Sequence, residues 1–315
     1  MSFHPDSLPD LSWTTYIVTG GNSGIAFGTV ARLVQHNAHV YMGVRNQEKG
    51  TSSIQRIQAK YPNARITLLD MDHLSLGSVA SAAESFLSKE PALHGLINNA
   101  GIMATPFEAT GDGFEAQWQT NYLAHWVFKS RLLLILLQTA TSLEPESVRV
   151  VDLSSSGHTM VPSAGIYFED LNLKGRSSMV RYGQSKLGNI LHAKILNKLC
   201  GPNSPHAVAD GGEIWTAIVH PGLVKGGIAD NADMPWLLRK FFHVYGAMGG
   251  MVDPDVGSWT SLFCVASPEM TKEQSGKFFQ RIAQAGWQSK IAGDTELAKL
   301  LEEWTESEMK QRGFH

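Results

Sequence analysis

Cysteine is scarce in this 315-residue chain: Cys200 and Cys264 are its only two, too few for a disulfide framework. A reducing compartment, the cytoplasm, is the expected home. Net charge is scarce as well. Lys+Arg 26 against Asp+Glu 29 leaves a formal charge of -3, so neither a nucleic-acid groove nor a polybasic membrane patch is expected. Runs of about 18 uncharged apolar residues are missing, so no integral membrane span is expected. The most apolar stretch, LLLILL at Leu132–Leu137, follows Lys129 and Arg131 and is too short to cross a bilayer. It reads as a buried or subunit-facing helix. The first ten residues hold Pro5, Asp6, Pro9 and Asp10 and no apolar core, which argues against an ordinary signal peptide. No linker, repeat or low-complexity tract breaks the chain, so 1–315 reads as one domain. The 12 histidines offer no metal site: His36 and His39 flank a helix-to-strand turn, and no carboxylate or cysteine completes a ligand set.

What the chain does have is an alternation of short β-rich runs with longer helical patterns. Strands are expected at Thr14–Thr19, His39–Val44, Arg65–Met71, Gly95–Asn98, Val148–Ser154 and Ile214–Val219. Between them, helical patterns cover Ile25–His36, Asn46–Lys60, Leu76–Ser88, Gly113–Leu137 and Tyr182–Leu199. Such alternation implies βαβ units and a doubly wound, mostly parallel α/β sheet with helices on both faces. Two segments interrupt it. Gly201–Glu213 is polar and reads as an exposed loop. Residues 226–251 carry Met234, Trp236, Leu237, Leu238, Phe241, Phe242, Tyr245, Met248 and Met251, and read as an apolar lid after the sixth strand. A helix pair that merely covers the sheet end is the alternative.

The chemistry concentrates at the C-terminal ends of the expected strands. Thr19-Gly20-Gly21-Asn22-Ser23-Gly24-Ile25-Ala26 links the first strand to the first helix. Glycines there let backbone approach a pyrophosphate, and a helix N-terminus supplies unpaired N–H groups. The second strand ends in Gly43-Val44-Arg45-Asn46, with no carboxylate to accept from a ribose hydroxyl. Arg45 offers a forked cation for a 2′-phosphate, favouring NADP over NAD. Tyr182 and Lys186 stand at i and i+4, on one helical face. An ammonium beside a phenol favours the phenolate, and lowering its pKa by ~3 units takes roughly 4 kcal/mol. Ser154-Ser155-Ser156 ends the fifth strand, Asn98-Asn99-Ala100-Gly101 ends the fourth, and Asn121 lies in the helix that follows. Each is weak alone. Their occurrence together behind a glycine-rich turn is not.

With these pieces in place, the chain resembles the short-chain dehydrogenase/reductase family, and within it the retinol-dehydrogenase-like branch that includes many fungal biosynthetic reductases. The resemblance runs from about Thr14 to Glu306 through TGGNSGIA, GVRN, NNAG, QTNYLAH, VVDLSSSGH, YGQSKLGNIL, HPGLV, SGKFF and LAKLLEEW. It implies a Rossmann-type fold and a catalytic set of Asn121, Ser155, Tyr182 and Lys186. Tyr182 would serve as general acid and base, Lys186 would lower its pKa and hold the nicotinamide ribose, Ser155 would polarise the carbonyl, and Asn121 would anchor a proton-relay water. Cofactor contacts would come from Gly20, Asn22, Ser23, Gly24, Ile25 and Arg45. Asp72 would meet the adenine amine, Asn99, Ala100 and Gly101 the adenosine side, and Pro221, Gly222 and Val224 the carboxamide. The implied activity is NADP(H)-dependent hydride transfer to or from a bulky hydrophobic ketone, aldehyde or secondary alcohol, as in a secondary-metabolite ketoreductase. The alternative is a nucleotide-binding scaffold or a non-redox isomerase or cyclase on the same fold.

Two departures from the family pattern bear on cofactor affinity: Ala26 stands where a third glycine is usual, and Gly226 where threonine often follows HPGLV. The long helices at 113–137 and 182–199 could form a four-helix homodimer interface, or the chain could be a monomer. His158 and His220 lie near the expected cleft, with packing or a backbone hydrogen bond their expected role. Cys200 is expected to be unreactive for want of a basic cluster, and Trp287 and Trp304 are expected to pack.

Overall fold

The computed structural model describes residues 3–225, 240 and 250–314. Eight strands form one sheet: β1 (Thr15–Thr19), β2 (His39–Val44), β3 (Arg65–Asp70), β4 (Gly95–Asn98), β5 (Val148–Leu153), β6 (Ile214–Val219), β7 (Lys277–Gln280) and β8 (Gln284–Ala285). Their spatial order is β3-β2-β1-β4-β5-β6-β7-β8. All pairings are parallel except the last, β7 with β8. Strands β1, β4, β5 and β6 are buried at every position, as a parallel sheet covered on both faces requires. The strand order turns back between β1 and β4, opening a crevice at their C-terminal ends.

Helices α1 (Gly24–Gln35) and α2 (Gln47–Gln58) lie on one face with α8 (Pro254–Ala266), where Val30, Leu33, Ile57, Leu262 and Phe263 share a core with β1 and β2. The other face carries α3 (Leu76–Leu87), α5 (Ala124–Thr141), α6 (Ser178–Cys200) and α9 (Thr295–Gln311), joined through Val79, Leu132, Leu187 and Leu301. The apolar run behaves as a core helix: Leu132, Ile135 and Leu136 are buried, and Leu134 faces out. No described helix is long and apolar enough to cross a membrane.

Several boundaries differ from the sequence-based expectation. The helix expected at 113–137 does not begin at Gly113, which sits in a turn at φ +86. Glu115 starts it by accepting from the Trp118 N–H at 2.8 Å. A short α4 (Ala116–Trp118) then widens into a π-turn over Gln119–Leu123 before α5 runs on to Thr141. The polar segment 201–213 contains a one-turn helix, α7 (Pro205–Val208), capped by Ser204. Strands β7 and β8 and helix α8 were not among the expected elements. Most of the expected lid lies outside the described residues; of its named apolar side chains, Met251 alone is among them. The chain on either side of that stretch is paired, Val224 bridging Val252 in parallel.

Candidate active site

The turn after β1 is shaped by two glycines. Gly20 takes φ +69 and Gly24 φ +54, left-handed backbone that favours glycine. A Cβ on Gly20 would lie 3.2 Å from Ala100 Cα, so the turn rests on the backbone beyond β4. A Cβ on Gly24 would meet nothing within 4 Å, so Gly24 faces open space at the start of α1. Ser23 is extended and makes no side-chain capping bond, which leaves the first-turn N–H groups for an anionic acceptor. The Asn22 carbonyl accepts from the Ser53 hydroxyl at 3.0 Å, tying the turn to α2. Ile25 and Val224 both press on Gly257, where a Cβ would fall 3.2 Å from Ile25 and 2.9 Å from Val224.

Arg45 is exposed just past β2, and Asp72 is half-buried past β3 with its Oδ1 accepting from Leu74 N–H at 3.0 Å. Asn99 and Ala100 both donate their N–H to Thr19 Oγ1, at 2.9 Å each. At Gly101 a Cβ would lie 2.9 Å from Asn121 Oδ1 and 3.4 Å from Lys186 Nζ, too tight for a side chain. Past β6, Gly222 takes φ +84 beside the Arg281 side chain, with Pro221 preceding it. The donors at α1, the open space at Gly24 and the cation at Arg45 fit a dinucleotide.

The inner end of this cradle holds the candidate catalytic groups. The Tyr182 ring lies on Gly157, where a Cβ would come within 2.9 Å of it and 3.4 Å from Ser155 Oγ, so the two side chains flank the same glycine. Ser155 Oγ accepts from Gly157 N–H at 3.0 Å. Lys186 Nζ donates to the Leu153 carbonyl at 2.9 Å and stands 5.8 Å from the Tyr182 ring centre. Asn121, in the π-turn, is held on both sides: its Oδ1 accepts from Ile102 N–H at 2.8 Å, and its Nδ2 donates to Ile102 O and Ser185 Oγ at 2.9 Å.

Burial governs the charges here. It pulls the Lys186 ammonium down to about 8, with Asp152 opposing. It also raises the Tyr182 phenol above its usual value, against the Ser155 hydrogen bond. A lowered phenol was expected from the sequence; the ammonium turns to the Leu153 carbonyl instead, and desolvation wins. A protonated Tyr182 is the form that can donate.

His158 is fully buried, with Nδ1 2.6 Å from Ser155 O and Nε2 accepting from Ser289 N–H at 3.2 Å. Burial holds His220 down to about 4. Cys200 is buried at the end of α6, its thiol pushed up by desolvation. Trp304 packs on the core as expected, whereas Trp287 does not: it is 63% exposed beside His158, on the loop after β8.

Three features escaped the sequence reading. Lys129 and Asp152 form a buried ion pair at 2.8 Å, and Asn98 Nδ2 donates to the same carboxylate at 2.9 Å. Arg181 pairs with buried Glu115 at 3.0 Å and donates to Thr105 O at 2.8 Å, anchoring α6 next to Tyr182. His125, four residues after Asn121, reaches Thr19. The i, i+4 spacing of Asn121 and His125 was the one available signal.

Known proteins can now be set beside this geometry. The short chain dehydrogenase family model matches residues 14–167. Over 310 residues the chain is 47% identical to the short-chain dehydrogenase/reductase drtF of Aspergillus calidoustus, covering 98% of this chain and 97% of that protein. This chain belongs to the short-chain dehydrogenase/reductase family. Within the family it is also 36% identical to retinol dehydrogenase 11 of Mus musculus over 289 residues, 90% of this chain and 83% of that one. Its fold matches the Pseudomonas aeruginosa RhlG/NADP active-site complex with a TM-score of 0.63 at 21% identity, over 88% of this chain and 97% of that one. The dehydrogenase glycine missing at Ala26 is accounted for: Ala26 is fully buried in the α1 core, and close helix approach occurs at Gly28.

Proposed function

We propose that this oxidoreductase is NADP(H)-dependent and moves a hydride to or from a bulky hydrophobic ketone, aldehyde or secondary alcohol, as a secondary-metabolite ketoreductase. The observation that carries the reading is the placing of Tyr182 and Ser155 together on Gly157, with Lys186 one helical turn away, at the inner end of a glycine-lined cradle. When bound, the nicotinamide supplies the hydride in reduction and takes it in oxidation. Tyr182 holds a proton at its phenol oxygen and delivers it to the carbonyl oxygen as negative charge develops there. Ser155 accepts from Gly157 N–H, which leaves its own hydrogen for that same oxygen. Lys186 binds the ribose hydroxyls and recharges Tyr182, with Asn121 anchoring the relay.

Arg45 takes the 2′-phosphate, the turn from Gly20 through Asn22, Ser23, Gly24 and Ile25 the pyrophosphate, and Asp72 the adenine amine. Asn99, Ala100 and Gly101 line the adenosine side, and Pro221, Gly222 and Val224 face the carboxamide. The apolar substrate class rests on the composition of 226–251, where Trp236, Phe241, Phe242 and Tyr245 supply large apolar surface. Two buried free thiols, Cys200 and Cys264, suit a reducing compartment, which we take to be the cytoplasm.

The test is NADPH oxidation at ~340 nm across a panel of hydrophobic carbonyls. Tyr182→Phe is expected to lower turnover by at least about 100-fold with NADPH binding retained. Unchanged turnover in that variant would remove the proton-transfer role.

A further inference from the structure

Thr19 Oγ1 accepts two backbone N–H bonds, from Asn99 and Ala100, each at 2.9 Å. A hydroxyl has two lone pairs and one hydrogen, so both lone pairs are used and the hydrogen must go elsewhere. His125 Nε2 lies 3.1 Å away and the Ile97 carbonyl 3.5 Å, so the imidazole is the better acceptor. Nε2 is then unprotonated, and the ring's hydrogen sits on Nδ1, 3.0 Å from the Asn121 carbonyl. That carbonyl belongs to the π-turn at Gln119–Leu123. A continuous chain of hydrogen bonds therefore runs from the Asn99 and Ala100 amides through Thr19 and His125 to the Asn121 carbonyl, each group donating to the next and joining the catalytic turn to the cofactor cradle.

We infer that His125 is a positioning residue, a neutral Nδ1–H imidazole that sets the Asn121 turn and the cofactor cradle in register. It touches neither the reacting atoms nor the cofactor. The inference rests on the proposed NADP(H) reading for its functional meaning, while the tautomer stands on geometry alone. His125 is 1% exposed, and the groups facing it are all neutral or cationic: His73 edge-on at 4.9 Å, with Lys129 and Lys186 beyond. Burial holds it well below the ordinary histidine value, so the neutral form persists at physiological pH. Protonating Nε2 would turn the Thr19 hydrogen to the more distant Ile97 carbonyl and set three donors against two lone pairs, displacing one of the Asn99 and Ala100 amides.

Two variants separate the halves of the chain. His125→Asn keeps an N–H near the δ position for the Asn121 carbonyl but cannot reach Thr19. His125→Gln keeps an acceptor near the ε position for Thr19 but leaves the Asn121 carbonyl without its donor. His125→Asn is expected to weaken NADPH binding, read by fluorescence titration, by roughly 3- to 10-fold, the worth of one hydrogen bond, while kcat holds. His125→Gln is expected to hold the NADPH Kd and lower kcat by a similar factor. Equal losses of both quantities in both variants would overturn the inference as a mere packing role.

A second readout needs no turnover. Nitrogen-15 NMR of histidine-labelled protein, with the His125 signal assigned by its loss in His125→Gln, should show a neutral Nδ1–H tautomer that does not titrate between pH ~5 and ~8. An Nε2–H tautomer, or titration near the ordinary value, would overturn the inference. If the wild-type protein bound NADPH but turned over no carbonyl, the proposed function would fail, and the tautomer and the binding split would still decide the role of His125.

Discussion

At the scale of single residues, burial decides more than sequence neighbours do. Lys186 shows this well. Its ammonium sits in the core with one carbonyl for company, Leu153 O, which also accepts from Asn189 Nδ2 at 3.0 Å. Removing the ammonium therefore does not orphan that carbonyl. The folded-state value near 8 lies below the unfolded 10.5, so the unfolded chain binds more protons between those pH values. Stability thus rises as pH climbs through that window. Lys186→Met is expected to unfold at a higher temperature than the wild type at pH ~7, with the gap closing towards pH ~10. Its turnover should fall by at least about 100-fold. Thermal unfolding across the pH series checks the sign. Arg45 makes the opposite point, because it is exposed and the role proposed for it depends wholly on a phosphate. Arg45→Ala is expected to raise the KM for NADPH about 10-fold or more while leaving that for NADH nearly unchanged. Equal effects on the two cofactors would remove the phosphate role.

At the scale of elements, the junction of α1 and α8 carries the first helix. A Cβ on Gly28 would sit 3.2 Å from Ser258 Oγ and 3.3 Å from Asp255 Cα, so the two helices meet almost backbone to backbone. One turn on, Arg32 grips Asp255 with two bonds at 2.9 and 2.7 Å. A β-branched side chain at Gly28 has no room. Gly28→Val is expected to cost about 1–3 kcal/mol in urea denaturation and to weaken NADPH binding, because α1 follows the turn proposed to hold the pyrophosphate. At the family glycine position, Ala26 is fully buried and its methyl is part of the core shared by α1 and the sheet. The π-turn is the second element of consequence. By adding a residue to the helix it aims Asn121 at Ile102 and Ser185 and lets His125 take the Asn121 carbonyl.

At the scale of the whole molecule, the C-terminal helix changes how the two long helices can be used. Glu302 on α9 accepts from Trp126 Nε1 on α5 at 2.9 Å and meets His192 Nδ1 on α6 at 2.6 Å. Burial alone would raise the Glu302 carboxyl, but His192 and Trp126 outweigh it and hold it below its usual range. Tyr122 reaches Thr305 on the same helix at 2.8 Å. Helix α9 thus packs along α6 and meets α5 at Trp126. A chain ending at Asp294 is expected to self-associate, because Tyr122, Trp126 and the Leu187–Leu191 face lose their cover. Light scattering on the two lengths of chain checks this; equal masses would show that α9 is not the cover.

Much of this was legible beforehand. Six of the eight strands, the glycine turn, Arg45 and the Tyr182–Lys186 pair follow from local pattern, because strand alternation, backbone freedom at glycine and i, i+4 spacing are properties of short stretches of chain. The rest was not. Strand β8 is too short, at two residues, to announce itself, and β7, α8 and α9 earn their places through partners far away in sequence. The protonation of Tyr182 and Lys186, the Lys129–Asp152 pair, the tautomer of His125 and the approach at Gly28 all depend on how much water packing leaves around each group. Local sequence sets which atoms are available along each strand and helix; only the assembled fold sets their solvation and their neighbours, and those two quantities determine charge, hydrogen-bond direction and the shape of the site.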